Sequence, residues 1–173
     1  MDKLLHIDKH EQAVCEIVVN GQPRRARCEP RTTLLDFLRS QPGLTGTHAG
    51  CEHGVCGACT VLIDGQPARA CLAFAHQCSG QEVYTVEGMA GAGTLTELQE
   101  AFSRHHALQC GFCTPGFLIS AEALLREIPN PSEQQVREAL SAHLCRCTGY
   151  VGIIQAVLEV AALRREKQPS GGA

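Results

Sequence analysis

The hydrophobic pattern of this chain changes near its middle. Before residue 88, short apolar runs and alternating positions predominate, which is typical of β-strands; after residue 93, apolar residues recur every three or four positions, which is typical of helices. The glycine-rich stretch between them, residues 88–93, is predicted to be a linker. The sequence therefore predicts an α+β chain, with a β-rich domain at residues 13–87 and a helical domain at residues 94–165.

The N-terminal half shows five strand patterns and one helix pattern. Asn20-Gly21 and Asp64-Gly65 each follow a run that favours β structure, and both dipeptides tolerate positive φ, so each predicts a hairpin turn. Thr32 or Thr33, together with Asp36, predicts the N-cap of a short helix. The strands are predicted at residues 13–19, 23–28, 60–63, 66–70 and 82–86. This order favours a small mixed sheet with one helix across it.

The C-terminal half shows four helix patterns. The first and third helices are predicted to start at capping boxes, Thr94-x-x-Glu97 and Ser132-x-x-Gln135. The second is predicted to start at Thr114-Pro115, with proline in its first turn. The fourth is predicted to run from Val151 to about Arg165. Four amphipathic helices with short connections predict a four-helix bundle. Residues 1–12 are predicted to be a loose arm, and residues 168–173 to be disordered.

Composition and charge argue against several classes of protein. The net charge of −3, with no basic stretch interleaved with aromatic residues, gives no support for nucleic-acid binding. No run approaches the roughly 20 apolar residues of a membrane span, and residues 1–10 lack the apolar core of a signal peptide. The eleven cysteines are therefore expected to include metal ligands in the reducing cytoplasm, rather than the disulfides of a secreted protein.

The first cysteine group has the spacing of plant-type ferredoxins. Three cysteines in a C-x4-C-x2-C arrangement are followed by a fourth further along the chain: Cys51, Cys56, Cys59 and Cys71. Glycines at positions 50, 54 and 57 allow a tight loop that turns its N–H groups towards cluster sulfurs. The alternative is a zinc knuckle, but zinc sites favour two separated pairs of cysteines. We therefore predict that these four residues bind a [2Fe–2S] cluster, called cluster one below.

The helical half carries a second cysteine group. Cys110 and Cys113 lie between the first two predicted helices, and Cys145 and Cys147 lie between the last two. In an antiparallel bundle both connections lie at the same end, so the four thiolates can converge there. A redox-active cysteine pair is the less favoured alternative, because Cys110 and Cys113 belong to no βαβ unit. From spacing alone, a zinc ion and a [2Fe–2S] cluster suit these four residues about equally well.

Four motifs together resemble those of a known family. The stretches GCEHGVCGACTVLIDG at 50–65, CL at 71–72, QCGFCTPGF at 109–117 and LCRCTGY at 144–150 closely resemble the iron–sulfur subunits of the molybdenum hydroxylases. This is the xanthine oxidase family, with aldehyde oxidoreductases, N-heterocycle dehydrogenases and aerobic carbon monoxide dehydrogenase. The resemblance covers about residues 13–165, without a departure from the ligand pattern. It implies a ferredoxin-like β-grasp domain followed by a four-helix bundle domain, each with a [2Fe–2S] cluster; the second is called cluster two.

The resemblance also implies partner subunits and cofactors outside this chain. It implies a large molybdopterin-binding subunit beside the helical domain and a separate, medium FAD-binding subunit, in a heterotrimer or a dimer of heterotrimers. In similar proteins the residue matching Gln109 hydrogen-bonds the pterin, and the cysteine matching Cys147 lies against the pterin amino group. Both contacts are expected here.

The remaining cysteines and histidines are expected to have structural roles. Cys15 and Cys28 lie on opposite strands of the first predicted hairpin and are expected to pack in the core, and Cys78 is expected to be a loop residue. Because both cysteine groups are complete, the histidines near them are expected at the surface or beside the cluster ligands: His48, His53, His76 and His143.

The sequence thus favours an electron-transfer subunit of a molybdenum hydroxylase, passing electrons from a molybdopterin centre through two clusters to FAD. The alternatives are a free two-cluster electron carrier and a zinc-stabilised interaction module. The chain has no P-loop, no G-x-G-x-x-G motif and no nucleophile with a positioned base, so no activity is expected from it alone. Purines, aldehydes, N-heterocycles, carbon monoxide and aryl-CoA thioesters all fit as substrates, because the substrate pocket belongs to a partner.

Overall fold

The computed structural model describes residues 12–91 and 93–167. The predicted disorder of residues 168–173, and all but residue 12 of the predicted arm, lie outside the described residues. The described strands and helices are β1 Ala13–Val19, β2 Gln22–Cys28, α1 Leu34–Arg39, β3 Thr60–Ile63, β4 Gln66–Arg69, β5 Glu82–Tyr84, α2 Glu97–Arg104, α3 Thr114–Glu127, α4 Glu133–Leu140 and α5 Tyr150–Lys167. The predicted α+β architecture is confirmed. No helix in these ranges is long and apolar enough to cross a bilayer.

The five strands form one mixed sheet in the order β2-β1-β5-β3-β4. β1 and β5 run parallel, and the other neighbouring strands run antiparallel. Both predicted hairpins are confirmed: Asn20-Gly21 connects β1 to β2 and Asp64-Gly65 connects β3 to β4, and all four turn residues have positive φ, between 48° and 81°. These turns fix the register of each hairpin, and therefore which residues face the core.

Strand β5 is shorter than predicted. The prediction extended it to Val86, but it ends at Tyr84, and Val86–Gly88 forms a short 3₁₀ helix. The reason is a side-chain bond: the backbone N–H of Thr85 donates to Oδ1 of Asn20 at 2.8 Å, and Nδ2 of Asn20 donates to the Thr85 hydroxyl at 2.9 Å. Asn20 therefore takes the backbone group that a longer strand would have paired.

Helix α1 covers one face of the sheet. Its N-cap is Thr33, whose hydroxyl accepts the Asp36 N–H at 3.1 Å, as predicted. Leu34, Phe37 and Leu38 are almost fully buried, and they pack with the sheet into the first of two apolar cores. The predicted packing role of two cysteines is confirmed, because Cys15 and Cys28 are also buried in this core.

Helix α2 begins two residues later than its predicted capping box. Thr94-x-x-Glu97 and Thr96-x-x-Gln99 both fit the capping-box pattern, and the structure uses the second, in which Gln99 N–H donates to the Thr96 hydroxyl and the Gln99 side chain accepts the Thr96 N–H. The prediction for Thr94 was wrong because the pattern alone does not distinguish overlapping matches. Leu95 consequently precedes the helix and is exposed.

The other three helices begin close to their predicted starts. Pro115 lies in the first turn of α3, Ser132 caps α4 with Gln135, and α5 starts at Tyr150, one residue before its predicted start. The four helices pack around a second apolar core, to which Leu62 of β3 also contributes. The sheet and the helices therefore pack directly against each other.

Candidate metal centres

The β3–β4 hairpin brings the first four cysteines together. Cys51 and Cys56 lie in the loop before β3, Cys59 directly precedes β3, and Cys71 follows β4. The antiparallel strands return the chain to its starting point, where the Ala70 N–H donates to the Cys59 carbonyl at 3.2 Å. The loop itself is tightly curved, since several of its residues have positive φ: Glu52, Gly54 and Gly57.

Backbone donors in this loop favour a thiolate. The N–H of Cys56 donates to Cys51 Sγ at 3.3 Å. The N–H groups of Cys56 and His53 lower the pKa of Cys51 to about 6, so that this thiol is ionised at neutral pH. Burial has the opposite effect on Cys59, whose pKa it raises to about 11, with a further contribution from the Cys71 thiol. A metal that displaces the protons of the Cys51 and Cys59 thiols would be bound more tightly, because several sulfur ligands lie close together.

The second group forms where two interhelical loops meet. Cys110 and Cys113 lie between α2 and α3, and Cys145 and Cys147 lie between α4 and α5. The two loops lie close together, because the Cys147 thiol influences the pKa of Cys110 and the Cys145 thiol that of Cys113. The Phe112 N–H, followed by the Cys147 thiol, lowers the pKa of Cys110, whereas burial and then Cys145 raise the pKa of Cys113 to about 12.

Tyr150 fixes the shape of the last cysteine loop. Its hydroxyl accepts the Cys145 N–H at 2.8 Å, and the Gly149 N–H donates to Cys145 Sγ at 3.3 Å. Thr148 has a positive φ of 59°, and its N–H donates to the Cys145 carbonyl at 3.1 Å. These bonds curl residues 145–149 around the Cys145 sulfur, leaving it directed towards Cys113.

The thiols pair in a way that suits two-iron clusters. In each group, certain thiols influence one another's pKa most strongly: Cys51 with Cys56, Cys59 with Cys71, Cys110 with Cys147, and Cys113 with Cys145. A [2Fe–2S] cluster needs two protein ligands on each of two irons. The four free thiols of each group match that number of ligands.

Glycine is required at one point between the two sites. A Cβ added to Gly50 would lie 2.9 Å from Cys56 Sγ and 3.4 Å from the Phe112 ring. The two cysteine loops border a cavity of about 480 Å³, which Gly50, Cys56, Phe112 and Cys145 help to line. The two cysteine loops consequently meet at the boundary between the sheet and the helices.

Two family models match the chain. A 2Fe-2S iron-sulfur cluster binding domain matches residues 17–84, and a [2Fe-2S] binding domain matches residues 85–158. The small subunit of nicotine 6-hydroxylase from Paenarthrobacter nicotinovorans is 55% identical over 83% of this chain and 87% of its own length. Subunit gamma of caffeine dehydrogenase from Pseudomonas sp. strain CBB1 is 51% identical over 85% of this chain and 90% of its own.

The chain belongs to the small iron–sulfur subunits of the molybdenum hydroxylases.

Solved structures agree with the small-subunit assignment. Quinoline 2-oxidoreductase from Pseudomonas putida 86 superposes with a TM-score of 0.85, at 50% identity, over 91% of this small subunit and 99% of the matching chain. The aldehyde oxidoreductase of Desulfovibrio desulfuricans superposes with a TM-score of 0.83, at 44% identity, over 89% of this chain but only 17% of its own. In that enzyme the same two units form part of a much longer polypeptide.

The structure brings together the two residues that were expected to contact the pterin in the small subunit. Gln109 is exposed in the middle of the α2–α3 loop, and its Nε2 donates to the Cys147 carbonyl at 3.0 Å. Both residues therefore lie at one end of the helical half, in the loops that carry the second cysteine group.

Two expectations about other residues of the small subunit need correction. Cys78 is not an ordinary loop residue, because it ends a 3₁₀ helix and is buried in the first core. His143 is 3% exposed and is therefore not at the surface. His76 is half-buried, and its ring contacts two cysteines of the first core: Nε2 donates to the Cys28 carbonyl at 3.1 Å, and Nδ1 lies 3.4 Å from Cys15 Sγ.

An interface network around His143 was missed by the sequence analysis. Nε2 of His143 lies 2.9 Å from the Ser120 hydroxyl, 3.1 Å from the Thr60 hydroxyl and 3.3 Å from Nη1 of Arg69. Burial, and then the Arg69 cation, lower the pKa of His143 to about 4, so the ring is neutral at pH 7. Arg69 also donates to the Ala142 carbonyl at 2.7 Å. These contacts join residues far apart in sequence, and no local pattern predicts them.

Proposed function

We propose that this chain relays electrons from a molybdopterin centre in a large partner subunit, through clusters one and two, to FAD in a medium partner subunit. The relatives are small subunits of multi-subunit oxidoreductases, which supports the electron-transfer role. The carrying observation is the presence of two groups of four free thiols, whose loops border one cavity. When bound, each [2Fe–2S] cluster takes up and releases one electron.

The eight cysteines have distinct assignments in this proposal. Cluster one is held in the unit spanning residues 13–87, and cluster two in the unit spanning residues 94–165. The proposed ligands are Cys51, Cys56, Cys59 and Cys71 for cluster one, and Cys110, Cys113, Cys145 and Cys147 for cluster two. The thiol pairs support one iron beside each pair. The cysteine-rich loops suit a reducing compartment, and we place the complex in the cytoplasm.

One hydrogen bond links the two sets of proposed ligands. The Leu144 N–H donates to the Cys56 carbonyl at 2.9 Å. Leu144 directly precedes Cys145, so a short run of covalent bonds and one hydrogen bond connects a ligand of cluster one to a ligand of cluster two. This contact holds the two loops at a fixed separation, as electron transfer between clusters requires.

The pterin end of the relay is assigned to the helical half. Gln109 and Cys147 lie in the two loops that carry cluster two, and both are accessible at the protein surface. We expect Gln109→Ala in the assembled complex to slow reduction of the clusters by substrate, because the side chain both bonds the Cys147 carbonyl and faces the proposed pterin site. Stopped-flow reduction of the clusters measures this step.

A variant near cluster one provides the matched control for Gln109→Ala. His53 is exposed in the loop of cluster one, and its Nδ1 is bonded to the Cys51 carbonyl. His53→Ala should leave reduction by substrate unchanged and affect only onward transfer to flavin. Equal slowing of cluster reduction by both variants would contradict the proposed order of the two clusters.

Metal analysis tests the two-cluster assignment directly. The full chain should contain about four iron atoms and about four acid-labile sulfides, because each [2Fe–2S] cluster contributes two of each. It should also be brown, whereas a zinc protein would be colourless. Bound zinc with negligible sulfide would contradict the assignment of both sites.

Purification from the native source separates the complex from a free two-cluster carrier. The complex should elute with a molybdopterin subunit and an FAD subunit, whereas a free carrier elutes near its own mass of 18.6 kDa. Relatives named for nicotine, caffeine and quinoline at 50–55% identity favour an N-heterocycle as the partner's substrate. Assaying the purified complex with an N-heterocycle and with an aldehyde tests this choice.

A further inference from the structure

A second contact joins the two cysteine loops through side chains. His48, three residues before Cys51, stacks on Phe112, which lies between Cys110 and Cys113. The ring centroids are 4.7 Å apart and the rings are 18° from parallel. In addition, Nδ1 of His48 lies 2.7 Å from the Phe112 carbonyl oxygen. The same pair of residues therefore makes both a stacking contact and a hydrogen bond.

The hydrogen bond fixes the position of one proton on His48. A carbonyl oxygen only accepts, so Nδ1 must carry the hydrogen and donate it. The backbone of His48 is itself tied to the loop of cluster one, because its N–H donates to the Ala58 carbonyl at 3.4 Å. His48 thus belongs to the first site through its backbone and reaches the second site through its ring.

Phe112 stands between two donors to sulfur. Its own N–H favours the anionic form of Cys110, whose pKa it lowers. Its carbonyl belongs to the peptide whose N–H is that of Cys113. Holding Phe112 in place therefore holds two N–H groups beside two proposed ligands of cluster two.

The bond from His48 also polarises one of these peptides. A hydrogen bond accepted at a carbonyl strengthens the donor capacity of the N–H in the same peptide, because hydrogen bonds in a chain reinforce one another. Hydrogen bonds to ligand sulfurs stabilise the reduced, more negative cluster and raise its reduction potential. The hydrogen bond from His48 is therefore expected to raise the reduction potential of cluster two.

We propose that His48 is a positioning residue that raises the reduction potential of cluster two from the other side of the domain boundary, acting through Phe112. This inference rests on the proposed function, since it takes Cys110 and Cys113 as ligands of cluster two. It gives the sheet-bearing half a role in setting how readily the helical half accepts an electron.

The variants that test this role separate the donor from the ring. His48→Phe keeps an aromatic ring to stack on Phe112 but has no N–H to donate. His48→Asn loses the ring but places an amide N–H near the position of Nδ1. His53→Phe is the matched control, because the His53 ring bonds only the Cys51 carbonyl of its own loop.

EPR-monitored redox titration of the full chain with both clusters measures the two potentials separately. His48→Phe should shift the potential of cluster two downwards and leave cluster one unchanged. His48→Asn should restore most of the potential of cluster two, and His53→Phe should leave that potential unchanged.

Other results would contradict either the role of His48 or the assignment of the cluster ligands. If both EPR signals are present and His48→Phe does not lower the potential of cluster two, the role of His48 is wrong while the proposed function stands. The role of His48 is also wrong if the reduction potentials of both clusters shift equally in His48→Phe, or if the potential of cluster two shifts in His53→Phe. A general loss of structure in the cysteine loops would then explain the result. If the unmodified chain lacks the second signal, the ligand assignment fails, and the role of His48 fails with it.

Discussion

Replacing Cys113 with serine removes one of the two [2Fe–2S] EPR signals and leaves the other. Cys113 is half-buried, and its thiol is paired with that of Cys145, so serine would leave one iron of cluster two with a single thiolate from this pair. A hydroxyl is much less readily ionised than a thiol and is a poor ligand for iron–sulfur clusters. We expect the iron content to fall by about half, since cluster one has its own four cysteines.

The control for Cys113→Ser is a buried cysteine outside both groups. Cys78 is 2% exposed and lies in the first core, so Cys78→Ser should cost stability and retain both EPR signals. Iron analysis and EPR of the dithionite-reduced chain measure both variants. Loss of both signals in Cys113→Ser would show that the two halves do not bind their clusters independently.

Substituting Gly116 by alanine should disrupt the packing of the helices against the loop of cluster one. Gly116 is buried in the first turn of α3, and a Cβ at this position would lie 2.3 Å from the Gly57 carbonyl oxygen and 3.3 Å from Cα of Ala58. Backbone atoms cannot rotate away as a flexible side chain can. We expect Gly116→Ala to destabilise the chain by about 1–3 kcal/mol, the usual cost of overpacking.

Thermal unfolding of the iron-loaded chain at one scan rate measures this cost. A chain of this size loses about 2–4 °C for each kcal/mol, so the midpoint should fall by several degrees. Gly91→Ala is the matched control, because the nearest atom to its added Cβ, the Thr94 hydroxyl, lies at 3.5 Å. Equal midpoints for Gly116→Ala and Gly91→Ala would show that α3 does not pack against the loop as closely as the structure indicates.

The local features of the fold could be predicted because each depends on a few consecutive residues. Asn20-Gly21 and Asp64-Gly65 adopt positive φ and set two hairpins, and Thr33 and Ser132 provide hydrogen bonds that begin two helices. The same dependence explains the error at Thr94, where two overlapping matches to one pattern compete. Which match is used depends on packing beyond the segment.

The features that depend on distant parts of the chain could not be predicted in this way. The spacing of the cysteines shows which of them belong together, but not which pairs form: Cys110 pairs with Cys147, although Cys113 is far closer in sequence. The burial of His143 likewise follows from Thr60 and Arg69, more than seventy residues away. Such contacts depend on how the two halves pack, and no periodicity in the sequence encodes that packing.

The close fit of glycine against backbone and ring between the halves limits how freely those halves can be exchanged among related proteins. A Cβ at Gly57 would lie 2.5 Å from the His143 ring, just as one at Gly116 would meet the Gly57 carbonyl. A hybrid that joined this N-terminal half to the helical half of a relative would therefore inherit one side of each contact without the other. Successful exchange therefore requires that the incoming half leave the same space for its partner at positions 116 and 143.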